Sequence, residues 1–265
     1  MKKRVISGVV MAVLLAVILV ISSKFKIVFA LFACLLACGS FKELLDVKKD
    51  FKIPIIMKFV GYFGVLAIAA SGFKDSLFLV GVNCEMLTAI FLMLFVPSVL
   101  LHKLEYKVND AIFLSAITVF VGLVFNLVIG LYLQSLLYLI FVVVVACCTD
   151  IFALLGGKLI GKHKFTEISP NKTLEGCVVG TIFSVIISTT FYMTLINDKN
   201  LFSVILLTFV LSIIGQIGDL FFSKIKRENG VKDFSNLIPG HGGILDRVDS
   251  IIFILIAYLF LIQYI

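Results

Sequence analysis

Residues 111–133 read AIFLSAITVFVGLVFNLVIGLYL, and after Gln134-Ser135 residues 136–149 read LLYLIFVVVVACCT. The first run is 23 residues long and carries no charged side chain. A helix needs roughly 20 apolar residues to cross a bilayer core about 30 Å thick. These two runs, joined by two residues, therefore read as a pair of membrane helices. Seven more apolar runs extend the pattern: Val5–Ser22, Ile27–Phe41, Ile53–Ala70, Ser76–Leu101, Gly176–Ile196, Leu201–Ile217 and Ile251–Ile265. The expected fold is an all-α, polytopic integral membrane protein of about nine spans. Val5–Ser22 follows Met1-Lys2-Lys3-Arg4 as a signal peptide would. It is long for one and no Ala-x-Ala site follows, so it is read as the first span.

Composition agrees. Of 265 residues, 61% are hydrophobic and 15% charged. That excludes a disordered chain and lies well past the composition of soluble globular domains. The net charge of +7 is not taken as a nucleic-acid signal, because Lys and Arg gather in the cytoplasmic loops of membrane proteins. The six cysteines sit in or at the start of apolar runs with no Cys/His ligand spacing, so zinc is not expected.

Charge also orients the chain. With a cytoplasmic N-terminus, nine crossings put segments 1–4, 42–52, 102–110, 150–175 and 218–250 on the cytoplasmic side. Those segments hold 18 Lys and Arg residues against 4 in the opposite segments, the bias the positive-inside rule expects. Residues 1–133 form an N-terminal set of spans. Residues 134–265 form a catalytic region, since its loops 150–175 and 218–250 are long and polar.

The densest polar stretch runs from Gly218-Asp219 through Ser223, Lys226-Arg227 and Lys232-Asp233 to Pro239-Gly240-His241-Gly242-Gly243, then Asp246-Arg247-x-Asp249. Asp219 is expected to end one helix, and Asp246 and Asp249 to begin the next, sharing a face at i,i+3 spacing. Carboxylates gathered at a membrane boundary repel unless a cation joins them, and all-oxygen donors suit magnesium. Ser223, Lys226, Arg227, His241 and Arg247 offer donors to phosphate oxygens, Arg247 as a two-toothed fork. Gly242 and Gly243 allow close backbone approach beside a helix N-terminus. The competing reading is a solvated basic loop, which fits Lys224 and Lys232 best; acids at a membrane default to function.

The second stretch begins at Asp150, which is expected to close a helix. It ends in Ser169-Pro170-x-Lys172-Thr173-x-Glu175-Gly176, with Ser169 as the expected N-cap of the next helix. A structural Lys172–Glu175 ion pair and a headgroup contact for His163 are the alternatives to a binding role. Within the spans, Lys58 is expected to snorkel to the cytoplasmic side. Glu85 is read as deep, facing other helices or water.

Together these residues resemble the signature of the phosphatidate cytidylyltransferases, or CDP-diacylglycerol synthases. The run Ser223-x-x-Lys226-Arg227 … Lys232-Asp233 … Pro239-x-His241-Gly242-Gly243-x-x-Asp246-Arg247-x-Asp249 carries the likeness, and Ser169-Pro170-x-Lys172-Thr173-x-Glu175-Gly176 is similar to the family's second motif. The likeness covers roughly the last 120 residues. One departure is Ile151-Phe152-Ala153-Leu154, where the family usually has a Gly-Ala-Tyr-type stretch. The resemblance implies conversion of CTP and phosphatidate to CDP-diacylglycerol and pyrophosphate, in phospholipid biosynthesis at a bacterial inner membrane. It implies Asp219, Asp246, Lys226, Arg227, His241 and Arg247 as catalytic. Ser223, Lys172, Ser169, Glu175, Gly242 and Gly243 would bind substrate. Asp219, Asp246, Asp249 and Asp150 would hold Mg2+, with room for a second cation. Expected partners are the two substrates and the bilayer, with no nucleic acid; a homodimer is left open. Alternatives are a CTP-dependent polyprenol or phytol kinase, and an ion-coupled transporter using Asp219 and Glu85.

Overall fold

The computed structural model describes residues 2–48, 52–73, 83–101, 106–170, 172–238, 240 and 242–265. Among them are nine α-helices: α1 (Lys2–Lys24), α2 (Lys26–Val47), α3 (Ile55–Ala70), α4 (Cys84–Phe95), α5 (Val108–Gln134), α6 (Leu136–Ile160), α7 (Leu174–Leu195), α8 (Leu201–Glu228) and α9 (Leu245–Leu261). No strand occurs among the described residues, only two isolated bridges, Lys164–Thr173 and Ile238–Gly242. The architecture is all-α and that of a multi-pass membrane protein. Hydrocarbon offers no water to backbone N–H and C=O, so long apolar segments must satisfy them internally as helix.

Among the described residues, five helices are long and apolar enough to cross a membrane: α2, α5, α6, α7 and α8. The run Ser76–Leu101 is not one described span. Its helix α4 covers 12 residues, about 18 Å of rise. It gives way to a 3-10 turn at Pro97–Leu101, where Pro97 has no backbone N–H with which to continue the α-helical ladder. Residues 74–82 of that run lie outside the described set. Glu85 is an exposed residue in the first turn of α4.

Several helices outlast their apolar runs. α2 continues past Phe41 to Val47, α6 past Thr149 to Ile160, and α8 past Ile217 to Glu228. Asp150 and Asp219 accordingly do not end helices; each lies more than two turns inside one. The residues that follow them contain no proline and no competing cap, so the helix persists after hydrophobicity falls. α8 stops in a Schellman motif. Gly230 takes φ +67°, Gly230 N–H bonds the Arg227 carbonyl and Val231 N–H the Lys226 carbonyl.

The chain divides into two compact units. The first is Met1–Leu133 with Asp233–Arg247, and the second is Gln134–Lys232 with Val248–Ile265. In the first unit Phe41, Ile68, Phe95 and Leu114 are fully buried. Asn126 donates to the Ile68 carbonyl at 3.0 Å and the Ser71 hydroxyl at 2.9 Å, closing the end of α3. Tyr132 stacks on Phe29 and bonds Ser22.

In the second unit α6 and α7 meet through small residues, the packing lipid-embedded helices favour. A Cβ at Gly180 would lie 2.7 Å from the Thr149 carbonyl oxygen, and one at Gly176 would lie 2.5 Å from that of Ala153. A hydroxyl seam links α6, α7 and α8: Thr149 to Ser212 at 2.9 Å, Ser212 to Thr181 at 3.3 Å, and Gln216 to Thr181 at 2.9 Å. Asp198, between α7 and α8, accepts from Tyr192 and Tyr138 at 2.6 and 2.7 Å. Burial pushes its carboxyl up, but the two phenols outweigh this and hold it below the usual range.

Candidate active site

In the second unit, α6, α8, α9 and the loop before α7 bring three acids and two lysines together. Asp219 on α8 pairs with Lys172 Nζ, the two side chains 25% and 21% exposed. Neither is open to bulk water, so the pair is worth more than a surface ion pair. Ser223, one turn along, points its hydroxyl at Asp219 Oδ1, 3.5 Å away. Asp150 on α6 accepts from Ser250 Oγ at 3.4 Å, and Asp249 Oδ1 accepts from Ser250 N–H at 2.9 Å. Asp150, Asp219 and Asp249 lie within electrostatic reach of one another; Lys172 reaches Asp150 and Lys226 reaches Asp249. Among the described residues, three carboxylates thus lie near two ammonium groups. Lys226 is buried on α8.

The loop before α7 is folded back on itself. Phe165 N–H bonds the Lys172 carbonyl and Leu174 N–H the His163 carbonyl. The N-cap of α7 is Thr173, whose hydroxyl accepts from Gly176 N–H at 3.1 Å. Ser169 is therefore not the cap: its carbonyl closes a turn onto Lys172 N–H, and its own N–H goes to Thr166 Oγ1. Lys164 and Thr173 pair as a bridge, so the chain stays extended there and the helix starts only after it. Nor do Lys172 and Glu175 pair. Glu175 accepts from His163 Nδ1 at 2.6 Å and from the backbone N–H groups of Lys162 and His163 at 3.1 and 3.2 Å. His163 is thus bonded within the loop.

A groove of about 350 Å³ runs between α7 and α8, lined by Phe165, Leu174, Val178, Phe209, Ile213 and Ile217 among others. Cys177 also lines it and lies within electrostatic reach of Lys172 and Asp219. The apolar groove therefore adjoins the charged cluster.

In the first unit, segment 233–247 folds around two carboxylates. Asp246 Oδ2 accepts from Phe234 and Gly243 N–H, each at 2.9 Å. Gly242 sits at φ +81°, where a Cβ would be 2.8 Å from Asp246 Oδ2; only glycine adopts that geometry without cost. The second carboxylate is Glu43, from α2, which bonds Ile244 and Leu245 N–H and the Ser235 hydroxyl. Sequence reading missed it because the apolar run ends at Phe41. The available signal was the stripe Ala33, Ala37, Ser40, which continues on the buried face through Glu43 and Val47.

Arg247 is exposed on the first turn of α9. Arg227 Nη1 bonds the Val231 carbonyl at 3.3 Å, at the end of α8. His241 lies outside the described residues. Among the described residues no three His, Cys, Asp or Glu side chains stand at joint coordinating positions. The donor set nevertheless fits a magnesium ion, which typically takes one or two carboxylates and completes its shell with water and substrate phosphate.

Comparison with known proteins gives a consistent result. Residues 2–265 match the Cytidylyltransferase family. The phosphatidate cytidylyltransferase of Staphylococcus haemolyticus (strain JCSC1435) is 36% identical over 230 residues, covering 85% of this chain and 86% of that one. That of Staphylococcus saprophyticus is 36% identical over 234 residues, 86% and 87% of the two chains. That of Staphylococcus aureus (strain COL) is 33% identical over 234 residues with the same coverage.

Proposed function

The chain belongs to the cytidylyltransferase family, and on that premise we propose how its residues carry out the reaction. The enzyme is a nucleotidyltransferase that converts CTP and phosphatidate to CDP-diacylglycerol and pyrophosphate. A phosphate oxygen of phosphatidate bonds to the α-phosphorus of CTP. The bond from that phosphorus to the bridging oxygen breaks, and pyrophosphate leaves with the electron pair. The nucleophile is already an anion, so no strong base is required. Alignment and charge neutralisation are the main demands.

Two like unit charges about 4 Å apart repel by roughly 4 kcal/mol at an effective dielectric near 20. Lys172, Lys226, Arg227 and Arg247 offset that repulsion between the two polyanionic substrates, with Arg247 and His241 meeting phosphate oxygens. Asp219, Asp249 and Asp150 are the second unit's candidate Mg2+ ligands and Asp246 is the first unit's; a bound Mg2+ would supply charge stabilisation of the triphosphate and the leaving pyrophosphate. Lys172 orients Asp219, and Ser223 steadies its other oxygen. The groove between α7 and α8 takes an acyl chain of phosphatidate, leaving the phosphate at the charged end. The observation that carries this reading is the cluster of Asp150, Asp219 and Asp249 with Lys172 and Lys226 beside an apolar groove.

The bias of 18 to 4 in Lys and Arg supports a cytoplasmic N-terminus and a cytoplasmic active site in a bacterial inner membrane. A cysteine at 235 labelled by an impermeant reagent from outside contradicts that orientation. The reaction is tested by incubating purified protein with labelled CTP, phosphatidate and magnesium: labelled CDP-diacylglycerol is expected. Label in a phosphorylated polyprenol or phytol, supplied in place of phosphatidate, would support the kinase alternative.

A further inference from the structure

We infer that Glu43 is the positioning residue of the glycine loop, a carboxylate from the N-terminal helices that fixes residues 243–245 for catalysis. The inference rests on the reaction assigned above. Glu43 is 4% exposed. A carboxylate that far from water is costly unless its oxygens are saturated with donors. Here the donors are supplied by one short segment. Oε1 accepts from Ile244 N–H at 2.8 Å and from the Ser235 hydroxyl at 2.7 Å, and Oε2 accepts from Leu245 N–H at 2.9 Å. Two successive backbone N–H groups at the start of α9 each meet one oxygen of the same carboxylate, which fixes the backbone at residues 244 and 245.

Gly243 completes the argument. A Cβ there would stand 2.5–2.6 Å from all three atoms of the Glu43 carboxyl group. A side chain at 243 would thus force the hydrogen-bonded Glu43 carboxylate to move. Next to it, Gly243 N–H is taken by Asp246 Oδ2. The loop is held from one side by Glu43 and from the other by Asp246, and Asp246 is the residue assigned to metal. Any loosening of Glu43 therefore displaces the Asp246 carboxylate and the Arg247 that follows it. Glu43 itself need touch neither substrate.

The test compares two buried carboxylates of the same unit in the purified full-length enzyme. Asp110 is also 4% exposed and accepts from Lys107 N–H at the start of α5, in a role confined to that helix end. Thermal midpoint, kcat, and KM for CTP are measured for Glu43→Gln and Asp110→Asn. Glu43→Gln places an NH2 donor against a backbone N–H. A fall in kcat of at least tenfold is expected in the protein that remains folded, while Asp110→Asn stays within twofold at a similar loss of midpoint. Hydrogen exchange at the 244 and 245 amides should be faster in Glu43→Gln alone. Equal kcat in the two variants, or a fall in kcat that only tracks lost midpoint in both, overturns the inference. If Glu43→Gln does not fold, Ser235→Ala decides: it removes one of the three donors, and kcat should drop severalfold; an unchanged kcat overturns the inference. Wild-type enzyme that makes no CDP-diacylglycerol would instead sink the reaction assignment.

Discussion

Replacing Lys172 by Met removes one of the two cations that balance Asp150, Asp219 and Asp249. At about 4 Å and an effective dielectric near 20, the lost attraction to Asp219 is roughly 4 kcal/mol before solvation is counted. Both side chains are about a quarter exposed or less, so water recovers part of that, and a net cost of about 1–3 kcal/mol is reasonable. If the loss appears in the transition state, kcat/KM falls by about 5- to 150-fold. Steady-state formation of CDP-diacylglycerol from labelled CTP, in mixed micelles of fixed phosphatidate fraction, measures it beside a thermal melt. Lys172→Arg should keep most activity. The double variant Lys172→Met with Asp219→Asn should regain stability without regaining activity, since neutralising Asp219 removes the buried imbalance but not the need for the acid. Activity of Lys172→Met within twofold of wild type would refute the reasoning, because the cluster would then not need its cation.

Asp246→Asn should lose activity yet fold, since an amide oxygen can still accept from Phe234 and Gly243; near-normal turnover rejects Asp246 as a metal ligand. Arg247→Lys should lower kcat/KM at least tenfold with little change in thermal midpoint, and a large midpoint loss with normal specific activity would mark Arg247 as structural. Gly176→Ala should destabilise by about 1–2 kcal/mol in a thermal melt, because overpacking against the Ala153 carbonyl outweighs the helix propensity gained. Gly130→Ala, with nothing within 4 Å of its added Cβ, should be neutral or stabilising by up to about 1 kcal/mol in the same assay.

Hydropathy located the helices because the demand for internal backbone pairing follows directly from apolar composition. It misjudged where they stop, because hydrophobicity and helix termination are separate matters. α6 and α8 continue beyond their last apolar run until caps end them, so Asp150 and Asp219 appeared to be helix ends and are not. Local spacing suggested Lys172–Glu175, whereas the partners are Asp219, 47 positions further along, and His163. The N-cap went to Thr173 rather than Ser169 because the bridge to Lys164 holds the chain extended. Glu43 was the least visible residue: its bonds reach 201 and 202 positions away to Ile244 and Leu245, and nothing in its neighbourhood in sequence marks that partnership.

The close seam between α6 and α7 has a consequence for chain continuity. Gly176 and Gly180 let α7 lie against the Ala153 and Thr149 carbonyls, and the hydroxyls of Thr149, Ser212 and Thr181 tie both helices to α8. The polypeptide linking α6 to α7 turns at Thr166–Ser169, where Glu167 is exposed. Scission at Glu167 would therefore leave two fragments whose membrane helices still find each other by packed faces. Expressed as separate polypeptides cut there, the pieces should reassemble in the bilayer with Asp150 from one fragment beside Lys172 and Asp219 from the other.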